Sequence, residues 1–126
     1  MVNKSVLIAD DHEMIRKALC ELFASQKDFE VCAEAENGKE AVEMAQFFHP
    51  DLILLDLSMP VMNGIEAACE LKRLMPMVPI IVFSEYGDVF TEREARETGI
   101  SAVVSKEAQL SVLLDRARSV FYQMAA

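Results

Sequence analysis

Asp51-Leu52-Ile53-Leu54-Leu55-Asp56-Leu57-Ser58-Met59-Pro60 is the stretch from which the rest of the chain can be read. Four apolar residues stand in a row between an Asp that follows His49-Pro50 and a Pro60-Val61-Met62-Asn63-Gly64 loop. A short apolar run bounded by turn residues is the pattern of a strand buried on both faces, as in a parallel sheet. A carboxylate at the C-terminal end of such a strand lies in the crevice where open α/β sheets bind ligands. Asp56 is therefore a candidate nucleophile or metal ligand. The ordinary alternative is an Asp that caps the following turn.

A second strand brings further carboxylates to the same edge. Ser5-Val6-Leu7-Ile8-Ala9 reads as a short buried strand and runs straight into Asp10-Asp11, ahead of a helical pattern at Ile15, Ala18, Leu19, Leu22 and Phe23. Asp10 or Asp11 suits the N-cap of that helix, but capping needs only one of them. Clustered carboxylates resist ionising together unless a cation neutralises them, and hard oxygen ligands in an open, hydrated site favour Mg²⁺. Such a pocket suits phosphoryl transfer, in which the metal offsets charge on the transferring oxygens. Pro79-Ile80-Ile81-Val82-Phe83 is a further strand ending in Ser84, and Ala102-Val103-Val104-Ser105 ends beside Lys106. Taken singly, Ser84 is an ordinary turn residue and Lys106 a solvated lysine. Taken together, a neutral donor and a cation complete what a phosphoryl group needs beside a metal.

The remaining chain alternates strands and helices without an internal linker, repeat or low-complexity segment. Glu30 to Ala35 alternates like an edge strand, and Gly38 to Phe48 is a helix carrying Ala41, Val42, Met44, Ala45 and Phe48, stopped by Pro50. Ile65 to Met75 forms a third helix, with Ile65, Ala68, Cys69 and the Leu71 to Leu74 turn facing inward, ended by Pro76. Asp88 to Thr98 is the weakest helix: its centre is almost all charged, leaving Val89, Phe90 and Ala95 as anchors, with Gly99 suited to its C-terminal cap. The last helix is expected from about Glu107 to Met124, with Leu110, Leu113, Leu114, Ala117, Val120, Phe121 and Met124 on one stripe. Such alternation implies a parallel sheet with right-handed crossovers.

Asp10-Asp11, Asp56, Ser84 and Lys106, with Met59-Pro60 and Asn63-Gly64 after the central Asp, resemble the receiver domain of two-component response regulators. The resemblance covers essentially the whole chain. Asp10-Asp11-His12 and the stretch Asp51 to Gly64 are most similar to receivers of LuxR-type regulators. It implies a flavodoxin-like, doubly wound α/β fold: a five-stranded parallel sheet in the order 2-1-3-4-5 with five helices. It implies also that Asp56 accepts a phosphoryl group from a histidine kinase or phosphotransfer protein. Asp11, Asp56 and the backbone carbonyl of Ser58 would ligate Mg²⁺, with Asp10 helping through water, while Ser84 and Lys106 contact the phosphoryl oxygens. Output would pass to a downstream protein through the face of the fourth helix, fifth strand and fifth helix. The chain would then act as a phosphoacceptor that catalyses only its own phosphotransfer and dephosphorylation.

Three positions depart from the family pattern. Val103 stands three residues before Lys106, where receivers usually carry a Tyr or Phe that rotates with the hydroxyl. Glu85 follows Ser84, where a small residue is usual, and Glu107 follows Lys106 in place of the common Pro. These departures raise the alternative of a receiver-like interaction module acting without phosphorylation; a separate alternative is a receiver excised from a LuxR-type transcription regulator. Other classes fit less well. An aspartyl phosphatase would carry a general-acid Asp where Ser58 stands, and a dinucleotide site would need a Gly-rich turn where Asp10-Asp11-His12-Glu13 stands. His12 reads as a structural helix-start residue and His49 as loop.

Composition bounds the partners. With 126 residues, 52% of them hydrophobic, the chain is expected to be one receiver domain, residues 1–126, with no effector domain. A net charge of -9 argues against direct nucleic-acid binding, which rests on phosphate neutralisation by Lys and Arg. Cys20, Cys32 and Cys69 have spacings unlike a zinc site and are expected to be reduced thiols. No apolar run reaches membrane-spanning length, and a soluble cytoplasmic protein is the expectation.

Overall fold

The computed structural model describes residues 3–85 and 92–125. Five strands, β1 (Lys4–Ala9), β2 (Phe29–Ala35), β3 (Leu52–Asp56), β4 (Ile80–Ser84) and β5 (Ala102–Ser105), alternate with five helices. The helices are α1 (Glu13–Ala24), α2 (Gly38–Phe48), α3 (Gly64–Leu74), α4 (Glu92–Thr98) and α5 (Leu110–Ala125). The strands form one all-parallel sheet in the order β2-β1-β3-β4-β5. This is the flavodoxin-like arrangement, and its central strand, β3, is buried along its whole length.

Period-two alternation explains why the central strands are apolar without interruption. Leu7, Ala9, Ile53, Leu55, Ile80 and Val82 point to one face, where they pack on Ala41 and Ala45 of α2, Ala67, Ala68 and Leu71 of α3, and Ala95 of α4. Their neighbours Val6, Ile8, Leu52, Leu54, Ile81 and Phe83 point to the other face, onto Leu19 and Phe23 of α1 and Leu113, Leu114, Ala117 and Val120 of α5. Each fully buried aliphatic side chain contributes about 1.5–3 kcal/mol relative to exposure, so the two layers dominate the stability.

Several helix details differ from expectation for physical reasons. Neither Asp10 nor Asp11 is the N-cap of α1; His12 is, in an extended conformation and without a side-chain capping bond. Ala18 is exposed, and Arg16 takes a buried place on α1 instead. Cys69 is exposed, because the inward stripe of α3 runs through Ala67, Ala68 and Leu71. Phe48 is also largely exposed, stacked edge-on against Phe47.

The last helix begins at Leu110, later than Glu107, because the preceding residues turn on Ser105. Its carbonyl accepts from the Ala108 N–H at 3.1 Å and its hydroxyl from the Glu107 N–H at 3.1 Å. α4 is described from Glu92, so the anchors Val89 and Phe90 lie outside the described residues. Ala95 is buried as expected, and Gly99 follows the helix with φ 82°.

Candidate functional site

The topological switch point lies between β1 and β3, whose neighbours run outward in opposite directions. The chain leaves β1 at Asp10 and ends β3 at Asp56, so both carboxylates open on this crevice. Both are buried, Asp10 at 0% and Asp56 at 2% exposure, which is rare for an acid unless something compensates its charge. Lys106, just after β5, supplies part of that compensation. Its Nζ lies 3.2 Å from Asp56 Oδ1 and 3.4 Å from Asp10 Oδ2. The same ammonium stands 5.2 Å from the centre of the Phe83 ring, an additional favourable contact for a cation held there.

One lysine does not satisfy two buried carboxylates. Asp56 Oδ1 also receives the Ser58 N–H at 3.4 Å, and Asp10 Oδ1 receives the His12 N–H at 2.8 Å. Among the described residues Asp56 Oδ2 and Asp10 Oδ2 accept no hydrogen bond, although Asp10 Oδ2 faces the ammonium at 3.4 Å. Burial, and then the negative charge of Asp10, push the Asp56 carboxyl up to about 6 against the opposing pull of Lys106. Ligand-capable atoms of Asp10, Asp11, His12 and Asp56 all lie within 4.8 Å of one another. Buried, orphaned oxygens in a hard-donor cluster fit a divalent cation well.

Supporting contacts fix the loops that carry these groups. Arg16, buried on α1, donates from Nη1 to the Asp10 carbonyl at 3.0 Å and from Nε to Glu34 at 3.0 Å. It thereby ties the Asp10-Asp11 turn to the end of β2. Sequence reasoning missed Arg16, since an arginine in an amphipathic helix ordinarily belongs to the wet face; its spacing from Leu19 and Phe23 was the available signal. After β3, the Leu57 N–H bonds the Phe83 carbonyl at 3.1 Å, and the Gly64 N–H bonds the Leu57 carbonyl at 2.9 Å. Asn63 and Glu66 close a reciprocal capping box at the start of α3. The loop bearing Ser58 is thus held at both ends.

Of the expected site residues, Asp10, Asp11, Asp56 and Lys106 meet in this crevice, with Ser58 beside Asp56. Ser84 ends β4 one register step beyond the Phe83 that pairs with Asp56, while its hydroxyl lies outside what the structure describes. Glu85 follows it as an exposed turn residue. Val103 is half-buried against the α2–α3 layer. No cis peptide bond occurs among the described residues, so Lys106 and Glu107 are joined in trans.

Residues 6–118 match the response regulator receiver domain. The chain belongs to the response regulator receiver family. This receiver is 34% identical over 115 residues to the transcriptional regulatory protein DegU of Brevibacillus brevis, covering 91% of this chain and 49% of that protein. It is 37% identical over 112 residues to the chemotaxis protein CheY of Halobacterium salinarum, covering 89% of this chain and 92% of that protein. The receiver thus spans about half the length of the transcriptional regulator and nearly all of the chemotaxis protein.

Among solved structures, a DNA-binding response regulator of the LuxR family from Staphylococcus aureus superposes with a TM-score of 0.84 at 28% identity. That match covers 93% of this chain and 98% of the other. CheY of Borrelia burgdorferi, solved with CheX, BeF₃ and Mg²⁺, gives 0.87 at 27% identity, covering 95% and 90%. LuxR-type regulators are therefore among its relatives, and the chain is a signalling domain of two-component systems. Among the described residues, no helix is long and apolar enough to cross a membrane.

Proposed function

We propose that this receiver is a phosphorylation-controlled interaction domain whose phosphoacceptor is Asp56. The observation that carries the reading is the shared ammonium: Lys106 bridges Asp56 Oδ1 and Asp10 Oδ2 at 3.2 and 3.4 Å, beside a buried Asp56 Oδ2 that accepts no hydrogen bond among the described residues. The donor is the phosphohistidine of a histidine kinase or a phosphotransfer protein. A carboxylate oxygen of Asp56 attacks phosphorus; a P–O bond forms, the P–N bond breaks, and its electron pair returns to the imidazole. In the metal-free site burial and Asp10 push the Asp56 carboxyl up to about 6, so it is ionised at neutral pH and available for attack.

Lys106 draws the transferred oxygens by charge, and Ser84 donates a neutral hydrogen bond to one of them. Asp11, Asp56 and the Ser58 backbone carbonyl would hold Mg²⁺, with Asp10 assisting through water. When bound, that ion offsets charge on the phosphoryl oxygens. Attack of water on phosphorus restores the free carboxylate, so the domain turns over only its own phosphoryl group. The signal leaves through the α4-β5-α5 face to a downstream protein, in the cytoplasm and without direct nucleic-acid contact, as the net charge of -9 favours.

Val103, which has no ring to rotate toward Ser84, favours a second reading: a receiver-like module that binds partners without phosphorylation. One assay separates the two. Incubation with acetyl phosphate and Mg²⁺, followed by intact mass measurement, is expected to add one phosphoryl group to wild type and none to Asp56→Asn. Equal labelling of both proteins refutes Asp56 as acceptor, and no labelling of wild type by any donor favours the second reading.

A further inference from the structure

His12 projects into the carboxylate cluster. Its Nδ1 lies 3.2 Å from Asp10 Oδ1 and 3.2 Å from Asp11 Oδ1, and its side chain is 57% exposed at the mouth of the crevice. The backbone that carries it is pinned from both sides: the His12 N–H donates to Asp10 Oδ1 at 2.8 Å, and the His12 carbonyl accepts the Arg16 N–H at 2.9 Å. The ring makes no capping bond to α1, so its Nδ1 is not claimed by the helix it precedes. Inside the same cluster, buried Asp56 Oδ2 has no hydrogen-bond partner among the described residues and Asp10 Oδ2 has only the Lys106 ammonium at 3.4 Å, which points to a cation independently of the histidine.

We propose that His12 is a metal ligand through Nδ1, and that it makes this site select imidazole-binding first-row cations, such as Ni²⁺ or Co²⁺, over Mg²⁺ more strongly than carboxylates alone would. The proposal rests on the reading that the Asp10-Asp11-Asp56 cluster holds a divalent cation. Spacing supports it: in an octahedral site with bonds of ~2.1 Å, adjacent ligand atoms stand about 3.0 Å apart. The 3.2 Å separation of Nδ1 from Asp11 Oδ1 is close to that edge length, while the equal distance to Asp10 Oδ1 is that of a hydrogen bond, which a cation taking the Nδ1 lone pair would replace. Chemistry supports it as well. Mg²⁺ keeps water in preference to nitrogen, whereas imidazole is a favoured ligand of the later first-row ions. A neutral ring with its proton on Nε2 offers the Nδ1 lone pair, and Nε2 stays in reach of solvent as its hydrogen-bond partner. Replacing one bound water by an imidazole would therefore raise affinity for Ni²⁺ and Co²⁺ and leave Mg²⁺ nearly unaffected.

The test is calorimetric titration of the wild-type protein, His12→Ala and Asp11→Ala with Ni²⁺ and with Mg²⁺, free of phosphodonor. His12→Ala is expected to weaken Ni²⁺ binding about tenfold or more while changing Mg²⁺ binding less than about twofold, a loss of the size typical for a metal-site group. Asp11→Ala is expected to weaken both. In Co²⁺-loaded wild type, proton NMR should show one strongly shifted, exchangeable imidazole N–H signal, absent from His12→Ala. A Ni²⁺ to Mg²⁺ affinity ratio unchanged by His12→Ala, or a Co²⁺ spectrum with no such signal, overturns the role of His12 and leaves the cation site standing. Binding of both metals that is indifferent to Asp11→Ala overturns the cation site itself.

Discussion

Asp56 is held at an electrostatic cost. Burial and Asp10 outweigh Lys106 and push its carboxyl up to about 6 in the metal-free fold, above the ordinary 3.8. A group raised on folding binds more protons in the native state, so its contribution makes stability fall as pH rises from about 4 through about 6. Above that window the metal-free protein carries the full penalty of a buried anion, on the order of 1–3 kcal/mol. Asp28 and Glu34, lowered by the Arg118 and Arg16 guanidiniums, contribute with the opposite slope, so the comparison must be between variants. Urea unfolding in EDTA is expected to find Asp56→Asn more stable than wild type at pH 7.5, with the difference shrinking toward pH 4. A difference independent of pH would mean that Asp56 is not the strained carboxylate. The acidic residues and Lys106 were legible in the sequence because apolar strands end on them. Arg16 and the contact of His12 with both acids were not, since each depends on which way a helix face turns after the chain has packed.

At the scale of elements, the β3–α3 loop has the tightest requirements. A Cβ on Gly64 would lie 2.3 Å from the Asp56 carbonyl oxygen, so only glycine lets α3 start against the backbone that presents Asp56. Three residues earlier, Val61 adopts φ 69° and is 79% exposed. A β-branched residue there is strained and gains nothing from burial. Val61→Gly is expected to stabilise the fold by about 1 kcal/mol, read as a higher urea midpoint with an unchanged slope. A lower midpoint would show that the valine side chain holds the loop. Strand positions were legible because apolar runs and turn residues bound them. The start of α5 was not, because the Ser105 turn that delays it uses hydrogen bonds invisible to periodicity. The Asn37–Glu40 and Asn63–Glu66 spacings did carry a readable capping signal for α2 and α3.

For the whole molecule, the sheet separates two unequal packings. α1 and α5 bury large side chains such as Phe23 and Leu113 against one face. On the other face, the described part of α4 contributes Ala95 alone to the core. Few apolar anchors place a helix at the low end of local stability. Among the described elements, α4 is expected to exchange its amide hydrogens fastest, and to change most when beryllofluoride and Mg²⁺ are added, as the α4-β5-α5 face responds to the filled site. Uniform exchange across all five helices, unaltered by the analogue, would remove this face as the output. Borohydride reduction converts an aspartyl phosphate to homoserine and so marks the aspartate that received the phosphoryl group. After phosphorylation with acetyl phosphate and Mg²⁺, peptide mass spectrometry is expected to find homoserine at position 56 alone; its appearance at position 10 or 11, or at no aspartate under labelling conditions, would contradict the account.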